Sequence, residues 1–222
     1  MPPDFQRAAQ CAAGALMALK NDAFPITPGD IRRLCPQVYA FEEYGAITRL
    51  PVEKLTRGGK LPGATIRAQG GDIVILYDAA AEPPRLLYTL AHELGHVLLG
   101  HTRDEDRQEV EAHFFAAHFL MPDELILRLT DAGLPLSAHL LTGVFGVSAA
   151  AACKKIHTLQ TYGYRRMPQA WAARFEAFIA AAVKKRMGAY ALCDFCGKPF
   201  GGCGTNICGA CFKERTGRER AT

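Results

Sequence analysis

The chain reads as α+β, helix-rich with one short sheet. Three observations predict this. Apolar residues recur at helical spacing over most of the length, one pair of alternating runs flanks a glycine turn, and five cysteines crowd near the end. The 222 residues suffice for one substantial core and a smaller appendage. Hydrophobic residues at 49% and charged residues at 22% exclude a disordered chain. No apolar run reaches the ~18 residues of a membrane span, so no membrane partner is expected.

The first element is a helix over 4–20. Phe5, Ala8, Ala9, Ala12, Leu16 and Leu19 share a helical face, and Asp4 and Arg7 stand ahead of the apolar run. That suits an amphipathic helix rather than a signal peptide, so a cytoplasmic location is expected. "TPGD" at 27–30 reads as a turn, with Asp30 capping a short helix through "IRRLC". The stretch 37–62 is lightly patterned and reads as irregular. "ATIRA" and "DIVILYD" then form a β-hairpin joined through Gly70 and Gly71. Pro84 suits the first turn of the next helix, whose apolar stripe is Leu86, Leu87, Leu90, Ala91, Leu94, Val97 and Leu98, and Gly100 ends it. A second helix runs over about 106–121 and stops before Pro122. "DELILRLTDAG" is helical, and "LSAHLLTGVFGVSAAAACKKIHTL" reads as two helices meeting at "GVS", with Ser148 as N-cap. A long helix over 168–186 places Trp171, Phe175, Phe178, Ile179 and Ala182 on one side, and Gly188 breaks it.

"TLAHELGHVLLGH" carries the first chemistry. Residues four apart on a helix share a face, with Cβ atoms ~5–6 Å apart, so the imidazoles of His92 and His96 can reach one ion. Glu93 falls beside that ion without ligating it, where a base must stand to deprotonate water. A catalytic zinc needs a third protein ligand and a position left to water. His101 follows the helix-ending glycine and reads as a surface or capping residue. The second helix offers Glu109 and Glu111, which lie about 200° apart on a helical wheel, so only one can face the site. Glu109 shares its face with His113, Ala116 and Leu120, and Glu111 shares its face with Phe115 and His118.

These two stretches together resemble a known family. "RLLYTLAHELGHVLLGH" followed by "EVEAHFFAAHFLMP" is similar to the ImmA/IrrE metallopeptidases, with matches at Arg85, Tyr88, Thr89 through His96, Glu109, Glu111, Ala112, Phe115, Ala116, Ala117, Leu120, Met121 and Pro122. The chain departs at His113, where the family has asparagine, and at Phe119, where it has leucine. The resemblance covers about residues 65–160. It implies a small gluzincin-like zincin fold, a catalytic zinc, and Glu109 as the third ligand beside His92 and His96. It implies Glu93 as general base of a zinc endopeptidase, and a helix-turn-helix repressor of a stress or mobile-element programme as substrate. Tyr88 and His113 are the candidates to hold a ligand in place or to stabilise the oxyanion.

"CDFCGKPFGGCGTNICGACFKER" pairs Cys193-x-x-Cys196 with Cys208-x-x-Cys211, the spacing of a four-thiolate structural zinc. The segment has few large apolar residues, so metal would supply its folding free energy. Cys203 is left over, and Cys11, Cys35 and Cys153 read as small hydrophobes on buried helix faces. From residue 184 on, eight Lys and Arg face three acidic residues, a net of +5, while the whole chain carries +4. A basic end suits nucleic acid or an acidic partner, and equally a solvated tail. The expected organisation is a metallopeptidase core over 1–125, a helix-turn-helix-like segment over 126–165, a connecting helix over 166–188, a zinc ribbon over 189–215 and a basic tail over 216–222. The rival reading is a DNA-binding transcription regulator with a non-catalytic metal site, in which Lys154, Lys155 and His157 of the second helix would face the duplex.

Overall fold

The computed structural model describes residues 2–19, 21–67, 72–102, 105–167, 169–187, 190–192 and 199–201. The turn at Gly70 and Gly71, the break at Gly188 and the cysteines Cys193, Cys196, Cys203, Cys208 and Cys211 lie outside the described residues.

In chain order the elements are α1 (Phe5–Ala18), α2 (Pro28–Leu34), β1 (Val38–Ala40), α3 (Phe41–Thr48), α4 (Val52–Leu55), β2 (Gly63–Arg67), β3 (Ile73–Tyr77), α5 (Pro83–Leu98), α6 (Asp106–Leu120), α7 (Asp123–Asp131), α8 (Ala138–Phe145), α9 (Ala149–Tyr162), α10 (Gln169–Ala173), α11 (Glu176–Met187), β4 (Tyr190–Leu192) and β5 (Pro199–Gly201). The result is α+β: mostly helix, with a three-stranded mixed sheet ordered β1-β3-β2 and a short antiparallel β4-β5 pair. None of the described helices is long and apolar enough to cross a membrane.

Strand β3 alternates with period two, as a strand covered on both faces must. Ile75 points into the large helical core, while Val74 and Leu76 join Phe41 in a smaller cluster with Tyr44, Val52 and Leu55. Thus 37–62, expected to be irregular, instead contributes β1, parallel to β3 with Val38 opposite Ile75, and two helices that cover the sheet's outer face. Strand β2 pairs antiparallel with β3 from Gly63 opposite Tyr77 to Arg67 opposite Ile73, and its other edge has no strand partner among the described residues.

Helix ends follow their local chemistry. The cap of α2 is Thr27 rather than the expected Asp30. Asp30 stands at the third helical position, and the two exchange side-chain and backbone hydrogen bonds in a capping box. Helix α5 opens on Pro83 and Pro84 and closes on Gly100, whose φ of 66° is the left-handed region that glycine occupies without a Cβ clash. Ser148 caps α9 by accepting from the Ala151 amide, and Gly146 turns the chain out of α8. The long helix expected over 168–186 is split into α10 and α11, with Arg174 and Phe175 between them. Trp171, Phe175, Ile179 and Ala182 still bury together. Cys35 is buried as expected and Cys11 half-buried, but Cys153 is exposed.

Candidate metal centre

Helices α5 and α6 make the most extensive helix contact in the fold, and its closeness depends on a glycine. A Cβ on Gly95 would stand 3.0 Å from Phe115 Cδ1 and 3.3 Å from the Ala112 backbone. Without it, the first turn of α6 lies alongside the middle of α5, and Glu109 meets both histidines. Glu109 Oε2 is 3.2 Å from His92 Nε2, Glu109 Oε1 is 3.2 Å from His96 Nε2, and the two Nε2 atoms are 3.1 Å apart. One potential ligand atom from each of the three residues falls within 4.8 Å of the others.

Zinc bonded at ~2.0–2.1 Å in a tetrahedron holds its donors ~3.4 Å apart, close to these separations. Proton chemistry favours the same conclusion. Two neutral imidazoles each donating Nε2–H to Glu109 would crowd two donor nitrogens within 3.1 Å of each other with no acceptor between them. Three lone pairs converging on one cation leave no such conflict. Burial also pushes His92 down to about 3, helped by the neighbouring His113, His96 and His101, so it stands as a neutral ligand at ordinary pH. The set of two imidazoles and one carboxylate therefore fits a divalent zinc ion.

Glu93 lies one residue on from His92, on the side of α5 that faces the sheet. The Thr65 hydroxyl of β2 donates to Glu93 Oε2 at 2.8 Å. Burial pushes the Glu93 carboxyl up to about 7; the Thr65 bond works against this and the Glu109 charge works with it. The edge strand can come this close because residue 63 is glycine, where a Cβ would lie 2.4 Å from Thr89 Cγ2 and 3.3 Å from Glu93 Cγ. The cleft over the three residues, about 750 Å³, is lined by Gly63, Ala64 and Thr65 of β2 and by Tyr88 and His113 of the helices.

Tyr88 and His113 are brought together: the Tyr88 hydroxyl is 3.2 Å from His113 Nδ1, and the His113 ring lies 4.3 Å from that of His92. Burial raises the Tyr88 phenol above its ordinary value, so it keeps its proton. His101 corrects the expectation of a surface residue. Its side chain is buried, with Nδ1 3.1 Å from His96 Nδ1 and Nε2 3.0 Å from Glu111 Oε2. Glu111 is thus turned away from the ion site and is buried as well, its Oε1 accepting from the Asp4 amide at 2.8 Å. Thr65 and His101 were not singled out for the site from the sequence. The one available signal was the sharp reversal at Gly100, which carries the next side chain back toward the helix it has just ended.

Residues 59–157 match the IrrE N-terminal-like domain family (Peptidase_M78). The match spans β2, β3, α5 and α6, so the trio and Glu93 fall within a domain whose family name denotes a peptidase. No curated protein and no solved structure matches the chain.

Proposed function

We propose that this protein is a zinc-dependent endopeptidase that cuts a protein substrate. The observation carrying this reading is the convergence of His92, His96 and Glu109 beside a carboxyl held near neutrality by burial, in a domain matching a peptidase family.

His92, His96 and Glu109 would hold the ion. Zinc, when bound, supplies Lewis acidity toward a peptide carbonyl and lowers the pKa of water in its open position toward ~7. Glu93 would accept a proton from the attacking water at its carboxylate and would pass it to the leaving amine. Thr65 holds the Glu93 carboxylate in line through its hydroxyl. The free edge of β2 offers backbone groups to an extended peptide, which would place a carbonyl over the trio. With Tyr88 donating to His113 Nδ1, Nε2–H would be the imidazole's own donor, so His113 would stabilise the oxyanion with Tyr88 orienting it.

A helix-turn-helix repressor remains the proposed substrate. The paired cysteines Cys193, Cys196, Cys208 and Cys211 are proposed to hold a structural zinc, and the basic residues around them to meet nucleic acid. The rival reading, a regulator that binds DNA through the helix-turn-helix-like segment, has less support. Lys155 is buried against Asp123 on α7, which takes one of three polar groups out of reach of a duplex.

The test is Glu93→Gln. The variant should keep its zinc and lose cleavage by about 10²–10⁴-fold, the share a positioned acid–base group contributes. Undiminished cleavage by a zinc-loaded Glu93→Gln protein overturns the assignment of the base. Elemental analysis should find about two zinc ions per chain, with one lost in His92→Ala and one in Cys208→Ala.

A further inference from the structure

The last turn of α5 folds back on itself. The Gly100 amide donates to the Val97 carbonyl at 3.1 Å, and the His101 amide donates to the His96 carbonyl at 2.9 Å, the paired bonds of a Schellman ending. This reversal sets the His101 ring edge-on against the His96 ring, at 74° and 5.0 Å between centroids. The contact is part-buried, and at its far side stands the buried Glu111.

The hydrogens along this path can be placed from its two ends. Glu111 is bonded by the Asp4 amide and lies 3.9 Å from Arg107 Nε. As an anion it can only accept, so His101 Nε2 must carry a hydrogen and donate to Oε2. A neutral imidazole has one N–H, so His101 Nδ1 is bare and accepts from the facing His96 Nδ1–H. His96 then has its lone pair on Nε2, the atom that faces His92 and Glu109. Starting from the ion site gives the same assignment. A ligand nitrogen at Nε2 requires hydrogen on Nδ1, which requires an acceptor in His101. His92 lacks such support: its buried Nδ1 has no hydrogen-bond partner among the described residues.

We propose that His101 and Glu111 are positioning residues for the metal centre, forming a hydrogen-bonded relay that fixes the tautomer and orientation of His96 as an Nε2 ligand. This role presupposes the metal site of the preceding section. The Asp4 amide ends the relay, so the start of α1 belongs to the same device.

Long-range ¹H–¹⁵N spectra of the zinc-loaded protein test the relay without a substitution. His96 should carry hydrogen on Nδ1 and metal on Nε2, and His101 hydrogen on Nε2 alone. Zinc affinity, measured by chelator competition against a His92→Ala reference, gives the second test. His101→Leu, which keeps an apolar filler, should bind ~10–100-fold more weakly, and His101→Gln, which can accept and donate at once, should recover most of the loss. If the wild type shows no zinc that His92→Ala removes, the metal site and the relay fall together. If that zinc is present but His101 carries its hydrogen on Nδ1, or folded His101→Leu binds within about twofold of wild type, the relay alone falls. Should His101→Leu fail to fold, the wild-type spectrum still decides.

Discussion

Glu93 is tuned by opposing neighbours, and Thr65 is the one that can be removed cleanly. Its hydrogen bond favours the ionised carboxylate, so Thr65→Val should raise the Glu93 pKa. A base works only when ionised, and activity is lost as pH falls through its pKa. The acid limb of the kcat/KM profile should therefore move to higher pH in Thr65→Val, with zinc content unchanged. The loss of a hydrogen bond to a charged group, ~1.5–3 kcal/mol, should also lower kcat/KM about 10–100-fold at neutral pH. With zinc bound, the dication would draw the Glu93 pKa down, so the wild-type limb should sit below the metal-free value of about 7. An unmoved limb in a folded, zinc-loaded Thr65→Val protein would remove Thr65 from the mechanism.

At the level of elements, the approach of α5 to α6 sets the distance between Glu109 and the two histidines. Gly95→Ala brings two effects of similar size into opposition. Alanine in a helix interior is favoured over glycine by ~1 kcal/mol, while crowding Phe115 and the Ala112 backbone costs ~1–3 kcal/mol. The melting temperature should therefore fall modestly, but zinc affinity should fall more, because the same shift pulls both histidines from Glu109. Chelator competition beside thermal unfolding separates the two. A second element is held by charge: Lys155 of α9 lies 2.5 Å from Asp123 Oδ1, with His118 Nε2 at 3.4 Å, all three buried. Lys155→Met strands a buried carboxylate and should cost ~3–5 kcal/mol in urea unfolding. Neither role was legible in the sequence. Helical periodicity located α1, α5, α6, α7, α8 and α9 closely, because each buries a continuous apolar stripe. It gave nothing for Lys155, whose partner lies 32 positions away, nor for Thr65 and Glu93, which meet across 28. The candidate trio was easier: His92 and His96 follow from i,i+4 spacing, the next helix offers Glu109 or Glu111, and the family resemblance implies Glu109. The short β1, α3 and α4 are too brief for any period to emerge, and only their packing on the sheet defines them.

For the molecule as a whole, buried imidazoles and the buried carboxylate of Asp123 make the fold sensitive to acid. Burial holds His118 below its ordinary value, and Lys155 adds to this. The unfolded chain therefore takes up a proton first, and stability is lost as pH falls below ~6.5 toward the folded value. Asp123 follows lower down. Burial works to raise it, but the bonds from His118 and Lys155 outweigh that and hold it below the usual carboxylate range. Its stabilisation is complete above the unfolded value near 3.8 and disappears as pH falls through the folded one. Thermal unfolding of the metal-free protein should weaken in two stages, one below pH ~6.5 and one setting in below pH ~3.8, and Asp123→Asn should abolish the lower stage. The start of the chain shares in this architecture: α1 lies along α6, Arg7 donates to the Leu99 carbonyl at 2.7 Å, and the Asp4 amide reaches Glu111. A fragment excised at the borders of the matched domain would therefore begin more than fifty positions too late. It would bare the small, oily seam on which the first helix rests and cut the tether nearest His101, so anyone trimming this protein for crystals or screening should leave its front end whole.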